Sequence, residues 1–267
     1  MSGSQMTGDR SGLESRRGRH RPAGWLVVGL TIACGVSGFG SASHARSSAT
    51  SLSMPRGKPL ALASAHAAIR SQKSATAFFV DGGGHLLTAR HAVEDCMRVV
   101  VAKEGRVAVA RVVAVSDGAD LALIRIQRTW GLAATFPRTV TAAVNDMMFA
   151  AAYDTLPGMV GLGGIIANAT VISSLGGVEA GYLALNSHIS FGGSGAPVLD
   201  GRGLVQGVVS RRTVFDRVLA VNARDAKAFL LGNRIAIEQD DRPQIAGSGS
   251  RANRAASLSA RVTCFQT

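Results

Sequence analysis

Three separated segments carry the side chains that would do chemistry together. Ser194 stands among glycines in Ser190-Phe191-Gly192-Gly193-Ser194-Gly195-Ala196-Pro197. Glycines on both sides leave its hydroxyl exposed and admit backbone conformations closed to other residues. They also free the amides of Gly192 and Ser194, with that of Gly193 nearby, to point where a tetrahedral oxyanion would form. His91 ends Leu86-Leu87-Thr88-Ala89-Arg90-His91, a strand running into a small-residue turn that would hold an imidazole at the edge of a core. Asp120 opens the apolar strand Leu121-Ala122-Leu123-Ile124. A carboxylate there is expensive to bury unless it accepts hydrogen bonds, and the Nδ1 proton of a histidine is one such bond. Each segment alone has a plainer reading: a surface histidine, a turn aspartate after Asp117-Gly118, a glycine turn between strands.

Taken together, in the order His, Asp, Ser, the three resemble the trypsin/chymotrypsin clan. The matching residues are Thr88-Ala89-Arg90-His91, Asp120-Leu121-Ala122-Leu123 and Gly192 to Pro197. The strand pattern over residues 70–230 is similar to the bacterial HtrA/Deg-type branch, here without a PDZ domain. The resemblance implies an all-β fold of two six-stranded antiparallel β-barrels, chymotrypsin-like, with a C-terminal helix. It implies a serine endopeptidase acting on polypeptides, with Ser194 as nucleophile, His91 as base and Asp120 orienting the base. Gly192, Gly193 and Ser194 would form the oxyanion hole, and Ser210 would hydrogen-bond the acid. His188, Ile189 and Ser190 would make one wall of the primary pocket, with Ser210, Arg211 and Arg212 opposite. Ile189 points to a small or medium apolar substrate side chain, and His188 to an acidic one. No metal or organic cofactor is required. Two positions depart from the family: Gly193 replaces an Asp or Asn, and Ala196 replaces a glycine, adding a methyl beside the site. A catalytically silent double barrel that binds envelope components is the rival reading.

The elements that must position these residues read as short strands cut by Gly, Asp-Gly or Pro turns. A first cluster covers Thr76–Val80, His85–Thr88, Arg98–Ala102, Arg106–Val115 and Asp120–Ile126; a second runs from Met147 to Val221. Asn222 caps a helix that ends at Gly232. The expected organisation is a signal peptide over 1–45, a linker over 46–58, a peptidase domain over 59–234 and a mobile basic tail over 235–267. Within that tail, Val262-Thr263-Cys264-Phe265-Gln266 is the one segment expected to dock.

Arg16, Arg17, Arg19 and Arg21 precede an apolar run from Ala23 to about Phe39, and Ser43 and Ala45 fit a signal-peptidase site. Export to the periplasm or beyond is expected, with an uncleaved anchor as the alternative. Export would leave Cys96 and Cys264, either paired in an oxidising compartment or as two unrelated thiols. The formal charge of +12 is scattered, with no Lys or Arg between Arg138 and Arg202 and few aromatics among the cations. That pattern argues against nucleic acid and for contact with an anionic membrane or envelope surface.

Overall fold

Val, Ile and Ala runs broken every few residues by turn formers build short antiparallel strands. The computed structural model describes residues 71–162, 167–173, 181–213, 217–247 and 249–266. The expected signal peptide and linker lie outside these residues. The strands are β1 (Gln72–Phe79), β2 (His85–Thr88), β3 (Arg98–Lys103), β4 (Arg106–Val115), β5 (Ala122–Arg125), β6 (Thr135–Phe136) and β7 (Met147–Met148). They continue as β8 (Ala169–Ser173), β9 (Tyr182–Ser187), β10 (Pro197–Leu199), β11 (Val205–Arg212), β12 (Arg217–Asn222), β13 (Glu238–Gln239) and β14 (Ser259–Phe265). Three α-helices accompany them: α1 (Leu156–Gly161), α2 (Ala223–Gly232) and α3 (Arg251–Leu258).

The fold is all-β, with two six-stranded antiparallel units of chymotrypsin-like arrangement. The first is a closed barrel in the order β1-β14-β3-β4-β5-β2, the second a sheet in the order β10-β11-β12-β9-β8-β7. The second sheet curls until its edges meet at Phe149 and Leu199, whose backbone groups exchange two 2.8 Å hydrogen bonds. Side chains alternate across each strand. In β1, Ala77 and Phe79 fill the first barrel, while Phe78 points into a separate cluster with Leu121, Phe149 and Leu199. That shared cluster joins the two units, so residues on its rim are held from both sides.

The tail expected to be mobile is instead part of the fold. Ser250 caps α3 by accepting from the Asn253 amide at 3.2 Å. Ala252, Ala255 and Leu258 are buried in the shared cluster. Strand β14 supplies the sixth strand of the first barrel, pairing with β1 on one side and β3 on the other. Its inward residues Ala260, Val262 and Cys264 are fully buried. The docking segment was legible because Val262 and Cys264 alternate with polar residues. The α3 segment was not, because alanines and arginines show no apolar run to mark it. Buried Lys103 donates to the carbonyls of Ala256 at 2.5 Å and Ser259 at 3.0 Å, a cation at the C-terminal end of α3. The domain therefore extends to Phe265, not to residue 234.

Candidate active site

Neighbouring strands bring the first two residues together. Strand β2 leads through Thr88 and Ala89 into a single 3₁₀ turn, Arg90–Ala92, which carries His91. Asp120 precedes β5, and β2 pairs with β5 through Thr88 and Ala122. His91 Nδ1 lies 2.8 Å from Asp120 Oδ2, and the His91 amide donates to Asp120 Oδ1 at 3.0 Å. Two bonds from one residue fix the carboxylate plane against the ring. Ser194 arrives from the second unit, on the loop before β10, with its Oγ 3.0 Å from His91 Nε2.

Ser210 also comes from the second unit. The β11–β12 register shifts between Val209 and Arg211, so Ser210 sits in a bulge. Its fully buried hydroxyl donates to Asp120 Oδ2 at 2.5 Å. Burial, the largest single influence on Asp120, works to raise its pKa. Hydrogen bonds from the His91 ring, Ser210 and the His91 amide together outweigh it, holding the carboxyl down to about 2. The group is therefore an anion at neutral pH, able to fix the imidazole tautomer and to stabilise an imidazolium.

The loop around Ser194 is fastened to β1 through Thr76, a residue that sequence reasoning missed. The Thr76 amide donates to Ser194 O at 2.9 Å, and its hydroxyl donates to Gly192 O at 2.8 Å. That hydroxyl also accepts from the Tyr153 amide at 2.9 Å, and the Thr76 carbonyl accepts from Thr88 Oγ1 at 2.7 Å. Nothing in sequence marks this residue, because a threonine in a strand is ordinary. Gly195 passes so close that an added Cβ would lie 2.1 Å from Thr76 O, and its φ is +83°. Only glycine fits there.

Gly192 has φ +84°, and neither its amide nor that of Ser194 has a backbone acceptor among the described residues. Gly193 differs from expectation: its amide donates to Ser190 O at 3.2 Å, closing a turn rather than joining the two open amides. An added Cβ at Gly193 would lie 2.7 Å from Ile189 Cδ1, so a larger residue there would require Ile189 to shift. Ala196 is likewise corrected, for it is fully buried in the second unit's core and its methyl does not face the site.

A cleft of about 350 Å³ opens beside Ser194 between two walls. Ile189, Ser190 and Phe191 line one side, and Ser210, Arg211 and Arg212 the other. The Arg212 guanidinium bridges them, donating to Ile189 O at 3.3 Å and lying 5.1 Å from the Phe191 ring centre. His188 is exposed and does not line the cleft, so its expected place in the pocket wall is corrected. It lies just past β9, where Ile189 is the buried neighbour instead. Cys96 and Cys264 are joined by a disulfide, tying β14 to the segment five residues beyond His91.

A family model described as a trypsin-like peptidase domain matches residues 75–208, half of the chain. The chain is 29% identical over 209 residues to a protein of Sinorhizobium fredii (strain NBRC 101917 / NGR234), the uncharacterized protein y4bJ. That match takes in 73% of this chain but only 32% of the relative's length. Among solved structures, the serine endoprotease from Yersinia pestis aligns at a TM-score of 0.49 and 17% identity, covering 62% of this chain and 64% of that one. At that level of likeness nothing of the Yersinia protein is carried over.

Proposed function

The chain belongs to the trypsin-like peptidase family, and we propose that it is a serine endopeptidase working through His91, Asp120 and Ser194. The observation that carries this reading is the unbroken hydrogen-bonded line from Ser194 Oγ through the His91 ring to Asp120. Ser194 Oγ attacks the scissile carbonyl while His91 Nε2 takes its proton. The oxyanion is received by the open amides of Gly192 and Ser194. Collapse breaks the C–N bond as the imidazolium returns its proton to the leaving amine. Water then attacks the acyl-enzyme by the same route and frees the serine.

The cleft supports cleavage after a side chain that is not basic, since Ile189 and Val209 line it together with Arg211 and Arg212 and none of its lining residues is acidic. Export is the matching proposal for location. It rests on the Arg-rich start, the apolar run to about Phe39 and the small residues before Arg46. The Cys96–Cys264 disulfide suits an oxidising compartment.

Fluorophosphonate labelling of the wild type beside Ser194→Ala and His91→Ala tests the activity. Labelling lost in both variants is the expected result. Equal labelling of His91→Ala would show a serine that the histidine does not activate, against this mechanism.

A further inference from the structure

The outer face of the first barrel carries cations that the fold leaves uncompensated. Arg111 of β4 and Arg125 of β5 are direct cross-strand partners. Arg98 of β3 stands one step beyond the Val99–Ala110 pair, which extends the row to three guanidiniums. All three are exposed. None makes an ion pair or a side-chain hydrogen bond among the described residues. Some arginines are matched, Arg90 with Glu94 at 2.9 Å, Arg202 with Asp200 at 2.8 Å and Arg261 with Asp154 at 2.7 Å. Among the described residues, Arg217, Arg224 and Arg234 are as unpaired as the row but do not face one another across a ladder. Like charges directly opposite one another in a ladder oppose folding. At the end of the row, His85 pairs with Arg125 across β2, but its ring is taken by Asp81 at 2.6 Å.

The same face is apolar beside the row, further along β4. Ala108 and Ala110 of β4 turn into the barrel, so Val107, Val109 and Arg111 share the outer side. Val107 is 68% exposed and Val109 55%. Val109, Arg111, Arg125 and Ile126 line a shallow groove of about 460 Å³ with no aromatic ring in its walls. A row of guanidiniums flanked by exposed aliphatic side chains fits phosphodiester headgroups above an acyl boundary. Single-stranded nucleic acid would call for stacking rings, duplex nucleic acid would set a charged backbone against Val107 and Val109, and a second copy of this chain, at +12, would bring like charge.

We propose that this face of β3, β4 and β5 docks on an anionic phospholipid surface, with Arg98, Arg111 and Arg125 meeting the headgroups and Val107 and Val109 the acyl boundary. The inference is independent of the peptidase reading but compatible with it. Strand β5 has Asp120 just before one end and Arg125 at the other, separated by about 16 Å of strand at ~3.3 Å per residue. The row is therefore separate from the candidate site.

The test is co-sedimentation of the full chain with phosphatidylcholine vesicles, with and without phosphatidylglycerol. Phosphatidylcholine vesicles report any contribution of the N-terminal apolar run. The triple variant Arg98→Gln, Arg111→Gln, Arg125→Gln should lose the phosphatidylglycerol-dependent part, roughly 100-fold, at about 1 kcal/mol per cation. Arg217→Gln, Arg224→Gln, Arg234→Gln removes equal charge elsewhere and should change binding by less than about threefold. Replacing the three row residues with Lys should retain binding, which separates lost charge from lost fold. Equal loss in both Gln variants would reduce the effect to net charge and overturn the proposal. So would binding that ignores phosphatidylglycerol, or a row-dependent affinity for DNA without one for lipid.

Discussion

Thr76 Oγ1 donates to Gly192 O at 2.8 Å, across 116 positions of sequence, and so ties the first barrel to the loop that precedes the candidate nucleophile. The peptide between Gly192 and Gly193 is pinned at both ends: its carbonyl by Thr76, its amide by Ser190 O at 3.2 Å. The two open amides, of Gly192 and Ser194, flank that peptide. Their convergence depends on its orientation.

Thr76→Val keeps the shape and removes the hydroxyl. It leaves Gly192 O and the Tyr153 amide without their partner, a loss of about 1–3 kcal/mol in stability. On a peptide substrate kcat should fall on the order of 10-fold to 100-fold with KM nearly unchanged, because the lost geometry matters most in the transition state. Thr76→Ser should keep most of the rate. A Val variant with wild-type kcat would show that the loop holds its shape without β1.

Asp120 makes a pH-dependent contribution. Its folded pKa of about 2 lies below the ordinary 3.8. The contribution is thus complete above about pH 5 and is lost as pH falls through the folded value, amounting to about 2 kcal/mol. Denaturant unfolding of the wild type against Asp120→Asn should show a stability gap at pH 7 that shrinks by this amount toward pH 2. A gap independent of pH would contradict the hydrogen-bonded anion. At neutral pH the same variant should lose about 10⁴-fold in kcat, since Asn would favour the wrong imidazole tautomer.

The disulfide closes a loop of 168 residues between Cys96 and Cys264. By chain entropy, Cys96→Ser with Cys264→Ser should lower stability by about 3–5 kcal/mol. The urea midpoint of the double variant, and of reduced wild type, should move down together. An unchanged midpoint would show that β14 is held by its ladders alone.

Deleting residues 251–267 removes α3 and β14 together. The first barrel would lose a strand that pairs on both sides, exposing the inner residues of β1 and β3. We expect an aggregated or unfolded product and no labelling at Ser194, as read by size-exclusion chromatography and circular dichroism. A soluble, labelled product would make the C-terminal segment an accessory instead.

Local residue patterns mark the candidate chemistry and most of the strands. His91, Asp120 and Ser194 were legible because each sits in a motif of small residues whose reason is local: an exposed hydroxyl, a turn, a carboxylate opening an apolar strand. Ser210 was placed by family likeness, but the bulge that turns it onto Asp120 is a property of the β11–β12 ladder. Ala196 and Gly193 looked like departures at the site until packing showed a methyl in the core and an isoleucine in the way. His188 could not be kept out of the pocket by spacing, since the packing of the segment after β9 decides that Ile189 is the buried neighbour. What Thr76 holds, and where in the first barrel β14 docks, come from the tertiary structure. Gly192 and Ser194 lie more than a hundred residues from Thr76, as do β1 and β3 from β14, and no local pattern of polar and apolar residues encodes which distant strand will supply a hydrogen bond or close a barrel.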